Sequence, residues 1–240
     1  MTEPGTPIKA VSFDFGQTLA DFDHGFLAQR VAERGIELDL ERALADTPAA
    51  WLAYGAAKRR GAEGKEGWCA FTTRLLEQAV HPPDRALIDD LVNWLWTEQP
   101  TKNLWRRPVP GMFELVRDLV VAAIPVAIVS NSEGRLAELV AEIDPYASFG
   151  VIADSGKLGF EKPDPRIFRF AAERIGVEPS DLVHVGDAWE TDVRGALDVG
   201  ARAVWFAPSE TRSLPDGVVV SRSADELRKL LRGWGARIPA

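Results

Sequence analysis

The chain has 240 residues, 46% of them hydrophobic, with a formal charge of -8 and a pI near 5.0. That length supports one large domain or a core carrying an inserted module, and an acidic balance without a basic block argues against nucleic acid or an anionic membrane as the main partner. One cysteine, Cys69, excludes an internal disulfide and any multi-cysteine metal site; it reads as a small buried hydrophobe in a reducing, cytoplasmic setting.

Residues 1–7 are polar and proline-rich, with neither a charged nor an apolar leader segment, and no apolar run approaches the length that crosses a bilayer. Residues 8–15 are β-branched and aromatic, bounded by Pro7 and Gly16, and read as a buried strand. Asp14 falls at its C-terminal end, where open α/β sheets collect ligands. A buried charge there is costly unless it is paired or bound to a metal.

From residue 25 to 105 the apolar spacing is helical, with four or five helices expected. Leu27 and Val31, Ala43 and Leu44, Trp51 and Tyr54, Phe71 and Leu75, then Ile88 and Leu91 mark successive apolar faces. Pro48, Gly61, Gly64, Gly67 and the His81-Pro82-Pro83 stop punctuate them, and Pro82 and Pro83 with Asp84 signal a helix start. The tryptophans Trp51, Trp68, Trp94, Trp96 and Trp105 read mainly as packing. Lys58-Arg59-Arg60 reads as a solvated helix end, or as a grip on a second anionic group of a ligand.

Beyond residue 107 strand and helix alternate: helix 112–122, strand 125–130, helix 135–143, strand 149–153, helix 165–175, strand 182–186, helix 192–199, strand 203–206, an edge strand 218–220 and helix 224–231. Asp164 as N-cap and Pro165 at the first helical position open the third of these helices. Repeated βα units imply an α/β fold, a doubly wound, Rossmann-like parallel sheet. The domain expectation is a core of residues 1–22 and 107–240 with a helical cap domain, 23–106, inserted.

Several chemically equipped residues then fall just past strand ends: Asp14, Ser130 with Asn131, Lys162, Asp187, and Asp192 about one turn further. Carboxylates hold a hard divalent cation such as Mg²⁺ with few protein ligands. A lysine and a hydroxyl neutralise and orient phosphate oxygens, and one carboxylate is left as nucleophile. His184, within a strand, reads as structural, and His24 and His81 need no role.

These stretches, Asp14 to Leu19, Ser130-Asn131, Lys162-Pro163-Asp164-Pro165, and Gly186-Asp187 followed by Asp192 and Gly195-Ala196, resemble in order the four motifs of the haloacid dehalogenase superfamily of hydrolases. The resemblance covers almost the whole chain, and the inserted helices resemble that family's helical cap. It implies Asp14 as nucleophile, forming an aspartyl-phosphate, and as a Mg²⁺ ligand with Asp187, the Gly16 carbonyl and, directly or through water, Asp192. It implies Ser130 and the Asn131 backbone N–H as phosphate donors, with Lys162 bridging nucleophile and phosphate. The implied activity is Mg²⁺-dependent dephosphorylation of a small phosphorylated metabolite.

One position departs from the family. Two residues after the nucleophile its phosphatases usually carry a second Asp, which protonates the leaving oxygen; here it is Gly16, with Gln17 in place of the usual glycine. Losing a positioned acid costs about 10²–10⁴ in rate. The expectation therefore keeps four branches open: a phosphatase using water or Asp21, Asp23 or His24 as acid; a phosphatase for leaving groups that need little protonation, such as an anomeric sugar phosphate or an acyl phosphate; a metal-independent 2-haloacid dehalogenase; and a non-catalytic binding or regulatory protein.

Overall fold

The computed structural model describes residues 8–62, 64–81, 84–207 and 218–239. Two compact units emerge, Met1–Phe22 with Trp105–Ala240, and Asp23–Leu104. Pro82 and Pro83, read above as helix-start signals, and residues 1–7 lie outside the described residues. Among those described, no helix is long and apolar enough to cross a membrane.

The unit Asp23–Leu104 holds α1 (His24–Ala32), α2 (Leu40–Arg59), α3 (Gly64–Ala79) and α4 (Arg85–Glu98). Side chains of Asp23, Asp39 and Asp84 accept backbone N–H groups at the starts of α1, α2 and α4, filling donors that a helix leaves unpaired. Two expected breaks are not breaks. Pro48 lies inside α2, so the two apolar periods on either side of it belong to one helix. Its ring forfeits one helical hydrogen bond, while the long packed face against α3 holds the helix on both sides, with Trp51 4.4 Å from Phe71. Gly67 lies inside α3, where a Cβ would meet the Tyr54 ring at 2.8 Å; there glycine serves close helix packing rather than a turn. The tryptophans pack: Trp68 stands 5.3 Å from Trp96, and Trp94 lies under the guanidinium of Arg30. Lys58 and Arg59 end α2 with Arg60 as its cap, where the helix dipole favours cations.

The other unit contains β1 (Ala10–Phe13), β2 (Ala20–Phe22), β3 (Trp105–Pro108), β4 (Val126–Ser130), β5 (Val151–Asp154), β6 (Leu182–Gly186), β7 (Arg202–Phe206) and β8 (Val219–Ser221). Its helices are α5 (Met112–Val121), α6 (Leu136–Ile143), α7 (Ser155–Leu158), α8 (Pro165–Ile175), α9 (Gly195–Asp198) and α10 (Ala224–Gly233). The six-stranded parallel sheet has the order β5-β4-β1-β6-β7-β8. The chain therefore builds outward from β1 in one direction and then in the other. β1 is the switch point, and ligands of such sheets bind beyond the strand ends there.

Alternation of side chains sorts the two faces. Val11, Phe13, Val126, Ile128, Val183, Val185, Val204 and Phe206 form one core with α5, α6 and α10. Ala10, Ala127, Ala153 and Ala203 face the other way, with Ile167 and Phe168 of α8 in the same core. Small residues on that face let the α8 backbone approach the sheet closely. Asp164 caps α8 and Pro165 opens it, as the sequence indicates.

Two features differ from the sequence expectation. β2 and β3 form a short antiparallel pair, with Phe22 opposite Trp105. At three and four residues each they are too short to show a period, so Trp105 and Arg106, read above as the end of the helical stretch, pair instead with β2. The helix expected at 192 starts at Trp189 with a π-helical turn, Trp189–Arg194, before α9. Val193 and Asp192 both donate backbone N–H groups to the Ala188 carbonyl, at 3.3 and 2.9 Å. That wider turn faces Asp192 inward.

Candidate active site

The site grows from the end of β1. The Asp14 backbone N–H donates to the Val185 carbonyl at 2.8 Å, carrying the β1–β6 pairing one residue past the strand. The chain then turns sharply: the Phe15 carbonyl accepts the N–H groups of Leu19 and Ala20, both at 2.9 Å, and Gln17 takes a left-handed conformation, φ +55°. A side chain in that region costs about 1–2 kcal/mol, so the turn is held against local strain.

Lys162 is the centre of the cluster. Its Nζ lies 2.6 Å from Asp14 Oδ1 and 2.5 Å from Asp192 Oδ1, and the residue is 3% exposed. Burial disfavours the ammonium, but the two carboxylates outweigh it and hold Lys162 well above the usual lysine range. Burial pushes the Asp14 carboxyl up, with Lys162 offsetting part of the effect, and pushes Asp187 well above the ordinary carboxylate range, aided by the charges of Asp192 and Asp14. Asp192 goes the other way: against its own burial, the Lys162 ammonium and the His184 hydrogen bond hold it low.

Asp192 has both oxygens engaged. Oδ1 meets Lys162 and, at 3.5 Å, His184 Nε2, while Oδ2 accepts the Ala188 N–H at 2.9 Å. Behind it His184 Nδ1 shares a 2.9 Å hydrogen bond with the Ser12 hydroxyl, and burial lowers the imidazole pKa, with Asp192 offsetting part of the effect. Gly186 makes room for this carboxylate: a Cβ there would lie 2.4 Å from Asp192 Cγ. Gly186→Ala is expected to displace Asp192 from Lys162 and to cost about 1–3 kcal/mol, read as a lower urea midpoint.

Asn131 holds Lys162 from the neighbouring loop. Its side-chain Oδ1 accepts the Lys162 N–H at 2.7 Å and its Nδ2 donates to the Lys162 carbonyl at 3.0 Å, a clamp the sequence did not show. Ser130, 4% exposed, ends β4. Ser132 to Leu136 are organised by Asp154, which accepts the Ser132 hydroxyl and the N–H groups of Gly134, Leu136 and Gly156. Asp154 was not singled out from the sequence, yet it ends β5 as Asp14 ends β1, so the strand-end rule applied once more finds it. In the same loop burial pushes the Glu133 carboxyl up to about 7, the Asp154 charge adding to the effect.

Asp187 ends β6. Its Oδ2 accepts Gln17 Nε2 at 3.1 Å, and its backbone carbonyl accepts Trp205 Nε1 at 2.7 Å. Asp14, Asp187 and Asp192 each offer one oxygen within 4.8 Å of the others. Three carboxylates against one ammonium leave an excess of negative charge in a largely buried cluster. Hard oxygen donors with that excess fit a divalent cation of the Mg²⁺ kind. Of the candidate acids, Asp21 pairs with Arg107 at 3.0 Å, Asp23 caps α1, and His24 Nε2 meets the Thr47 hydroxyl at 2.7 Å.

The family model for haloacid dehalogenase-like hydrolases matches residues 8–200. The chain belongs to that family. Over 128 residues it is 38% identical to the mouse haloacid dehalogenase-like hydrolase domain-containing protein 3, a match covering 53% of this chain and 51% of that one, so the chain spans about half the length of that relative. Over 212 residues, 88% of this chain and 91% of the relative, it is 26% identical to glyceraldehyde 3-phosphate phosphatase of Methanothermobacter thermautotrophicus. The HAD hydrolase YfnB of Bacillus subtilis, solved bound to magnesium, shares the fold with a TM-score of 0.70 at 19% identity, over 94% of this chain and 99% of that one. Of the residues singled out in the sequence, Asp14, Asp187 and Asp192 bring oxygens within 4.8 Å of one another, and Lys162 joins Asp14 to Asp192.

Proposed function

We propose that this hydrolase is a Mg²⁺-dependent phosphatase of small phosphorylated metabolites, working through an aspartyl-phosphate on Asp14. The observation that carries the reading is the set of three carboxylates with oxygens within 4.8 Å of one another, two of them on the buried Lys162 ammonium, with Ser130 at the end of the adjacent strand. The phosphatase name of the full-length archaeal relative supports it.

In this reading Asp14 attacks phosphorus in line with the leaving oxygen. Ser130 and the Asn131 N–H hold non-bridging phosphate oxygens, and Lys162 neutralises charge as it develops on them. Asp14, Asp187 and the Gly16 carbonyl would hold Mg²⁺, with Asp192 supporting them directly or through water. Bound there, the cation screens the carboxylates from the incoming phosphate and polarises its oxygens. The helical unit Asp23–Leu104 serves as the cap that selects the substrate, and the lone Cys69 suits a reducing cytoplasm.

The test is hydrolysis of p-nitrophenyl phosphate with Mg²⁺ and after chelation with EDTA. Turnover is expected with the metal and lost without it. Metal-indifferent release of halide from a 2-haloacid, with no ester hydrolysis, would instead identify a dehalogenase.

Gln17 bears on the same cation. Gln17→Gly relieves the turn strain but drops the amide that fixes Asp187, a bond to a charged group worth about 1.5–3 kcal/mol. The two effects nearly cancel in stability, so the melting temperature should barely move. Metal affinity should not escape: partners that orient ligands are typically worth about 10–100-fold. Titration calorimetry with Mg²⁺ is expected to show a Kd weakened by about tenfold.

A further inference from the structure

The departure at Gly16 has a structural counterpart in Trp105. A Cβ on Gly16 would lie 3.3 Å from Trp105 Cδ1, tighter than most side-chain contacts, and at an ordinary 3.5 Å from Nε1. The indole is held by packing on one side. It is paired through β3 opposite Phe22, meets the Phe22 ring edge-on at 5.1 Å, and packs on the core beneath the sheet. Position 16 carries no acidic side chain, and one placed there would start against an aromatic edge that has to give by a few tenths of an ångström.

The ionisable groups bonded into the Asp14 cluster, and Asp21 beyond them, have these partners. Lys162 Nζ directs hydrogen bonds to Asp14 and Asp192, His184 stands behind Asp192 and shares a bond with Ser12, Asp187 is held by Gln17, and Asp21 pairs with Arg107. An alkoxide leaves slowly without a proton donor, whereas a carboxylate or phenolate leaves as a stable anion. Resting on the phosphatase reading, we infer that the Gly16–Trp105 pair restricts this enzyme to phosphoryl groups carried on acidic leaving groups, with acyl phosphates as the metabolite class.

The chemistry balances without an acid. An Asp14 oxygen bonds to phosphorus, the bond from phosphorus to the leaving oxygen breaks, and its electron pair departs with that oxygen as the free anion. Water then adds to the phosphorus, the bond to Asp14 breaks and restores the carboxylate, and the proton from water ends on the released phosphate.

The experiment is a leaving-group series: acetyl phosphate, 4-nitrophenyl phosphate, phenyl phosphate and glycerol phosphate, each with wild type and Asp14→Asn in Mg²⁺. The quantity read is kcat/KM, which covers the step that expels the leaving group. It is expected to fall by about 10² or more from nitrophenyl to phenyl phosphate, the range a positioned acid otherwise supplies. Glycerol phosphate should be slower still and acetyl phosphate at least as fast as the nitrophenyl ester. A shallow slope across the series overturns the inference while leaving the phosphatase intact, and a slope that steepens in Glu133→Gln assigns the missing proton to Glu133. No Asp14-dependent turnover of any ester overturns the phosphatase reading itself. Trp105's part is tested by Gly16→Asp with and without Trp105→Ala. Only the double variant should gain phenyl phosphate turnover; a gain in Gly16→Asp alone removes the indole from the account.

Discussion

Asp14→Asn is expected to reduce p-nitrophenyl phosphate hydrolysis by roughly 10⁴-fold or more, to the level that binding groups alone sustain. The amide keeps the volume of the carboxylate and can still accept from Lys162, so the fold around the site stays in place. What it loses is the nucleophile, and no neighbouring carboxylate substitutes. Asp192 has both oxygens committed to Lys162, His184 and Ala188, and Asp187 is held from the other side by Gln17. The same substitution removes one negative charge from a largely buried cluster that carries an excess. Without metal the variant should therefore melt at or above the wild-type temperature. Activity lost with stability kept or raised separates a nucleophile from a structural carboxylate. A lower melting temperature in the metal-free variant would mean that Asp14 is there to hold Lys162.

Lys162→Met should do the opposite to stability. Among the described residues the ammonium is the only cation placed between Asp14 and Asp192, and it is buried with them. Removing one member of a buried ionic cluster leaves the others uncompensated, which costs about 3–5 kcal/mol. Urea unfolding at neutral pH should show that loss as a lower midpoint at unchanged slope. Activity should fall by about 10²–10³ as the charge opposing the transferring phosphoryl group disappears. Lys162→Arg is not a rescue. Its planar fork cannot occupy a slot shaped for a single nitrogen 2.5 and 2.6 Å from two carboxylates.

Much of the fold was legible because the sheet is parallel and buried on both faces. Such strands read as short apolar runs between turn residues, and β6 was placed at the residues it occupies. The pairing of β2 and β3 was not legible, because two short, partly exposed segments far apart in sequence carry no period of their own. Pro48 misled for a related reason. A proline penalty is local, while the packing of α2 on α3 is summed over many residues.

By itself the sequence determined which residue types stand at the strand ends: Asp14 after β1, Ser130 at the end of β4, Asp187 after β6, with Lys162 and Asp192 on the connections. Strand-end position follows from local pattern, and the chemistry of a carboxylate or an ammonium travels with the residue. Only the tertiary structure decided how they meet. The crossovers that set the order β5-β4-β1-β6-β7-β8 bring Lys162 between Asp14 and Asp192, and the Asn131 clamp fixes it there. The π-helical turn faces Asp192 inward, and the space beside Gly186 receives it. The meaning of Gly16 also waited on the fold. A missing side chain is silent in sequence, and it took the Trp105 indole, brought back across β3 from far along the chain, to show what stands against the vacant Cβ position.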